Sequence, residues 1–133
     1  MGTNLTSQQS LAMGNLLAQL QTLIGNYKHI NFQKLTDKQS SDFRKTLKTL
    51  SDAAGKLFAQ TVILALDEAD DAISNLKNAT DQIGNILTTI SQIQTWVNIS
   101  AAAFSLASAI ISAVPADVAK GIVSLVNSTK SDS

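Results

Sequence analysis

The chain is expected to be all-α, an antiparallel helical bundle of four or five helices with coiled-coil-like pairing. Three observations lead there. One Pro and six Gly in 133 residues give few of the breaks that a turn-rich β fold needs. Apolar residues recur at spacings of three and four through most of the chain. Two of those stripes keep a seven-residue repeat, which holds one helix face against a partner. At 14.1 kDa the chain suits one domain, 1–133, with residues 97–127 as an apolar helical hairpin.

The first helix is expected over 6–26. Thr6 and Gln9 have capping-box spacing. Met13, Leu16, Leu17, Leu20, Leu23, Ile24 and Tyr27 follow as one stripe. Thr36 and Gln39 repeat the capping signal, so a second helix is expected over 38–65. Its pairing seam is Phe43, Leu47, Leu50, Ala54, Leu57, Thr61 and Leu64, with Arg44, Lys45, Lys48 and Asp52 on the wet side. The register shifts near residue 66, at the acidic run Asp67-Glu68-Ala69-Asp70-Asp71. A bend, a turn and a continuous helix all fit there, leaving 38–96 as one bent helix or two. A third helix is expected over 68–96, with the seam Leu76, Ala79, Ile83, Ile86, Ile90, Ile93 and Val97 and Leu87 widening it.

Charge is unevenly spread. Seven basic residues lie from Lys28 to Lys56 (Lys28, Lys34, Lys38, Arg44, Lys45, Lys48, Lys56), among Asp37, Asp42 and Asp52. Five acids lie from Asp67 to Asp81 against Lys77. Between Asp81 and Asp117, 35 consecutive residues carry no charge. Within that stretch Val97–Val114 reads VNISAAAFSLASAIISAV, with thirteen apolar residues, four Ser and one Asn. A helix apolar nearly all round belongs in a protein core or a membrane. Eighteen helical residues span roughly 27 Å, just short of the ~30 Å hydrocarbon layer. Trp96 precedes the segment, where an interfacial aromatic would stand. Ala101, Ser105, Ala109 and Ala113 repeat every four residues, a small-residue face that lets helices approach closely. A fourth helix is expected over 97–113. Pro115 then ends the run and opens a fifth, over 116–128, with Val118, Ile122, Leu125 and Val126 facing inward.

The balance of ten basic and ten acidic residues argues against nucleic-acid binding, which needs a basic excess. The absence of Cys excludes disulfides and thiol chemistry. With one His and one Arg, no catalytic set can be assembled, so no enzyme, cofactor or metal is expected. His29 has no partner at helical spacing, and the acidic run lacks the alternation and Gly of a calcium loop. The basic residues fit a solvated face better than a lipid-headgroup site. The start MGTNLTSQQS has no secretory pattern and loosely fits myristoylation at Gly2. Four Asn-x-Ser/Thr triplets, at Asn4, Asn78, Asn98 and Asn127, matter only in a secretory pathway.

The arrangement of heptad helices leading into an uncharged Ala/Ser-rich stretch, broken by Pro115 and followed by a second apolar helix, resembles the helical pore-forming toxins of the cytolysin A and haemolysin BL type. The resemblance covers about residues 60–126. In that family a bundle shields an apolar tongue that swings out into a membrane, and oligomerisation makes the pore. It implies a tongue of Val97–Val114, Pro115 and Val118–Val126 here. The membrane-inserting candidates are Trp96, Val97, Phe104, Leu106, Ile110, Ile111, Val114 and Pro115. The expected function is non-enzymatic membrane interaction, pore-forming or as the membrane-binding component of a toxin-like assembly. Its partner would be a lipid membrane or a helical protein, in a homo- or hetero-oligomer that also has a soluble form. The alternative is a structural or adaptor bundle that uses its seams to bind itself or another helix.

Overall fold

The computed structural model describes residues 3–26, 35–62, 64–66, 68–89 and 93–129. Among the described residues five helices make the body: α1 (Ser7–Gly25), α2 (Asp37–Phe58), α3 (Ala69–Thr89), α4 (Ile93–Ser112) and α5 (Pro115–Ser128). Two dipeptide strands, β1 (Thr3–Asn4) and β2 (Ala65–Leu66), pair antiparallel, Thr3 opposite Leu66. The all-α bundle expected from the sequence is what forms.

Both capping boxes close. Thr6 Oγ1 accepts from the Gln9 N–H at 3.1 Å while Gln9 Oε1 accepts from the Thr6 N–H at 2.9 Å. Thr36 and Gln39 do the same at 3.0 Å each way. Each box satisfies two backbone donors that an open helix end leaves orphaned.

Three boundaries differ from the periodic reading. α2 stops at Phe58, seven residues short of the expected end. Gln60 takes a left-handed φ of 57°, and its N–H bonds Leu57 O while the Thr61 N–H bonds Lys56 O. This paired closure turns the chain out of the helix. The β-branched Thr61 and Val62 follow, residues that favour extended backbone. The acidic run therefore does not continue α2; its last three residues open α3. Asp70 and Asp71 stand in the first turn of α3, where carboxylates complement the helix dipole. Thus 38–96 holds more than one helix. The third helix ends at Thr89 and not at 96, and Ile93 to Trp96 open α4.

α1 packs between α2 and α3. With α2 it runs antiparallel: Ser10 Oγ donates to Leu57 O at 2.6 Å, and Gln21 Nε2 donates to Leu47 O near the other end. With α3 it shares a direction, because Gln9 Nε2 donates to Asp70 Oδ1 and Leu23 lies against Gly84. α4 packs on α2, α5 and α1, and α3 touches α5, so the helices close a ring in the order α1, α2, α4, α5, α3. The core runs through the ring and includes Met13, Leu17, Leu20, Ile24, Leu50, Leu57, Leu76, Ile83, Trp96, Ile99 and Leu106. Each of these is nearly or fully removed from water, worth about 1.5–3 kcal/mol per large side chain before the entropy cost of ordering. Among the described residues two exposed ion pairs, Lys38–Asp42 and Lys77–Asp81, add little.

Candidate functional site: the α4–α5 hairpin

The sequence of α4 is apolar on most sides, yet the fold gives it a wet edge. Gln94, Asn98, Ala101, Ser105 and Ser112 are exposed and Ser108 is half-buried. Their steps of four and three place them on one stripe. Gln94 Nε2 donates to Asn98 Oδ1 at 2.9 Å along that stripe. No residue in it is ionic. The other faces carry Trp96, Ile99, Ala103, Leu106, Ala107 and Ile110, all nearly or fully buried. The expectation that this helix is apolar nearly all round is thereby corrected: small and polar residues hide a stripe that a hydropathy count does not resolve. Gln94–Ser112 is nonetheless long and apolar enough to cross a membrane, with mean hydropathy 1.4 and 56% of that window buried in the bundle. The core helix of a soluble protein passes the same test.

Trp96 is a packing residue. It is 1% exposed, its indole Nε1 donates to Ile24 O at 3.0 Å, and its ring centroid lies 5.0 Å from that of Phe43. That bond satisfies a carbonyl at the end of α1, one of those an α-helix leaves unpaired. Val97 and Phe104 are half-buried, and Leu106 and Ile110 are fully buried.

The turn between α4 and α5 collects what remains. Ala113 adopts φ 57°; its N–H bonds Ile110 O at 3.0 Å, and the Val114 N–H bonds Ala109 O at 3.3 Å. This closure usually carries Gly, because a Cβ is disfavoured in the left-handed region. Val114 is extended and Pro115 takes the first position of α5, where its missing N–H costs nothing. Ile111, Val114 and Pro115 are exposed at this tip. With Val123 on α5, the hairpin holds three of the five large apolar side chains exposed among the described residues. From 93 to 128 its only charged residues are Asp117 and Lys120.

The two helices touch through Gly121, a position that apolar periodicity does not mark. A Cβ there would come 2.9 Å from Leu106 Cα. A Gly between the inward-facing Val118, Ile122 and Leu125 was the available signal.

Most of the seam residues whose burial is described are spent inside the chain, Thr61 being exposed. Leu50, Leu57, Leu76 and Ile83 are fully buried, Leu64 is buried in the connection after α2, and Phe43, Leu47 and Ile86 are half-buried. Ile90 lies outside the described residues, as do Lys28, His29, Lys34 and Asp67. Among the described residues no group of three or more carboxylates or imidazoles converges on one point. No protein-family model, curated protein or solved structure matches the chain.

Proposed function

We propose that this is a non-enzymatic helical protein that engages membranes through α4 and α5, as a pore-forming protein or the membrane-binding component of a toxin-like assembly. The observation that carries the reading is the hairpin 93–128: two charged residues in 36, with Ile111, Val114 and Pro115 bare at its tip. Ionic groups are the main penalty for moving a helix into lipid. Their scarcity lets the hairpin trade burial against α1, α2 and α3 for burial among acyl chains, at about 25 cal/mol per Å² on either side. Two states that bury similar apolar area lie close in free energy, and lipid then selects between them. The tip makes first contact and Ala113, held left-handed, marks where the hairpin turns.

The adaptor reading needs an apolar seam open to a partner helix. Leu50, Leu57, Leu76 and Ile83 are already covered by the chain itself. Outside the hairpin the exposed large apolar side chains among the described residues are Leu11 and Phe58, a small surface for an obligate partner.

Liposome flotation with dye release tests the proposal. Ile111→Asp and Val114→Asp are the informative variants, because both positions are exposed and the bundle keeps its helicity. Ile110→Asp would bury a charge and unfold the protein instead. Binding and release by the parent that both tip variants abolish is the expected result. A parent that ignores vesicles of every headgroup charge, while forming a concentration-dependent oligomer, would transfer the case to the adaptor.

A further inference from the structure

Hydrogen bonds at both ends of the α4–α5 hairpin fix where its turn lies. α4 starts where α1 ends, because Trp96 Nε1 donates to Ile24 O. α5 finishes beside the C-terminal half of α3, because Thr129 Oγ1 donates to Gln82 Oε1 at 2.8 Å. At 1.5 Å per residue α4 is about 30 Å long and α1 about 28 Å. The turn at Ala113 and Val114 therefore sits at the end of the bundle where α1 and α3 start and α2 finishes, the end that Ser10–Leu57 and Gln9–Asp70 hold together. Four of the five large apolar side chains exposed among the described residues gather there: Ile111 and Val114 of the hairpin, Leu11 of α1 and Phe58 of α2. Leu11 and Phe58 share one flank, since Phe58 lies over Gly14, and Leu11 and Gly14, three apart, are on one face of α1.

Charge at the same end is one-sided. Within two helical turns of it the described chain exposes Asp52, Glu68, Asp70, Asp71 and Asp117 against Lys56 and Lys120, a net of three negative charges. The helix termini do not cancel this. α1, α3 and α5 start here while α2 and α4 end here, which leaves over only about half a positive unit charge. Apolar side chains gain from any acyl interior. An anionic leaflet, by the same Coulomb term that attracts a lysine, repels a carboxylate, and each such charge near the surface changes partitioning about five-fold.

Resting on the membrane reading above, we infer that this whole end, with Leu11 and Phe58 as well as the hairpin tip, seats on a zwitterionic bilayer and discriminates against an anionic one.

Flotation of the full chain with two kinds of vesicle tests this. Binding to phosphatidylcholine vesicles is expected to be at least about ten-fold tighter than to vesicles about one-third phosphatidylglycerol at low ionic strength, and the gap should close as salt rises. Asp70→Asn, Asp71→Asn and Asp117→Asn together bring this end to neutrality and should erase the gap without weakening binding to phosphatidylcholine. Phe58→Ser should weaken binding to either vesicle several-fold with the circular dichroism of the bundle kept. Leu11→Ser, also at an exposed position, reads the same surface should Phe58→Ser loosen α2 from α1. Equal or tighter binding to the phosphatidylglycerol vesicles, a gap that outlasts the three Asn substitutions, or parent-like binding by both Ser variants would overturn this inference and leave the membrane reading standing. Absence of binding to both vesicles would overturn the two together.

Discussion

Gly121→Ala and Gly55→Ala make the same chemical change in two helices and should leave proteins of different stability. At Gly55 an added Cβ meets nothing within 4 Å. Only the unfolded chain loses freedom there, so the gain is about 1 kcal/mol. At Gly121 the same atom would stand 2.9 Å from Leu106 Cα and 3.1 Å from Leu106 Cβ. Carbon pairs settle at about 3.5–4.0 Å. Leu106 Cα is backbone of α4, so no side-chain rotation relieves the overlap, and α5 must retreat by roughly 0.5–1 Å. A gap of that size forfeits about a quarter to a half of the local dispersion energy, and such overpacking costs about 1–3 kcal/mol. The intrinsic helix gain is common to both variants. Their difference therefore reads the steric term alone, with Gly121→Ala lower by about 1–3 kcal/mol. Urea denaturation followed by far-UV circular dichroism measures it, provided the slopes agree so that midpoints compare directly. Equal midpoints for the two variants would mean that close approach of α4 and α5 does not hold the hairpin, and the reasoning would fail.

Trp96→Phe removes the donor to Ile24 O together with part of a fully packed ring, and thermal melts should show a loss of about 2–3 kcal/mol. Ala113→Gly relieves a left-handed Cβ and should raise stability by about 1 kcal/mol, read as a higher urea midpoint. Thr36→Ala opens the capping box of α2 and should cost about 1 kcal/mol, with amide exchange rising first at Gln39 and Ser40.

The parts of the fold legible in the sequence are those fixed by local chemistry. Thr6 with Gln9, Thr36 with Gln39, and Pro115 mark helix starts to within a residue, because each side chain acts on backbone within one turn. Periodicity misleads where it runs across a break. Leu76 to Val97 keeps an unbroken heptad although α3 ends at Thr89, because the stripes of two successive helices happen to abut in phase and neither Gly nor Pro stands between them. Leu64 continues the seam of α2 in sequence and is buried, but from a connection beyond the helix end. For the hairpin, the missing charge and the turn at Pro115 were legible. The wet stripe of α4 was not, because Ala101 and the three serines have nearly neutral hydropathy.

The pairing of Thr3–Asn4 with Ala65–Leu66 sets where the molecule begins to come apart. It ties positions about sixty residues distant, a closure that costs roughly 4 kcal/mol of chain entropy. A few backbone bonds, each worth about 1 kcal/mol net, do not sustain that alone. The tie survives because Ser10 on Leu57 and Gln9 on Asp70 already hold its surroundings in place. The clasp is thus a tell-tale for this end of the molecule: any loosening of α1 from its neighbours is felt first at the amide of Leu5, which donates to Leu64 O, well before the interior around Ile83 and Leu106 lets water in.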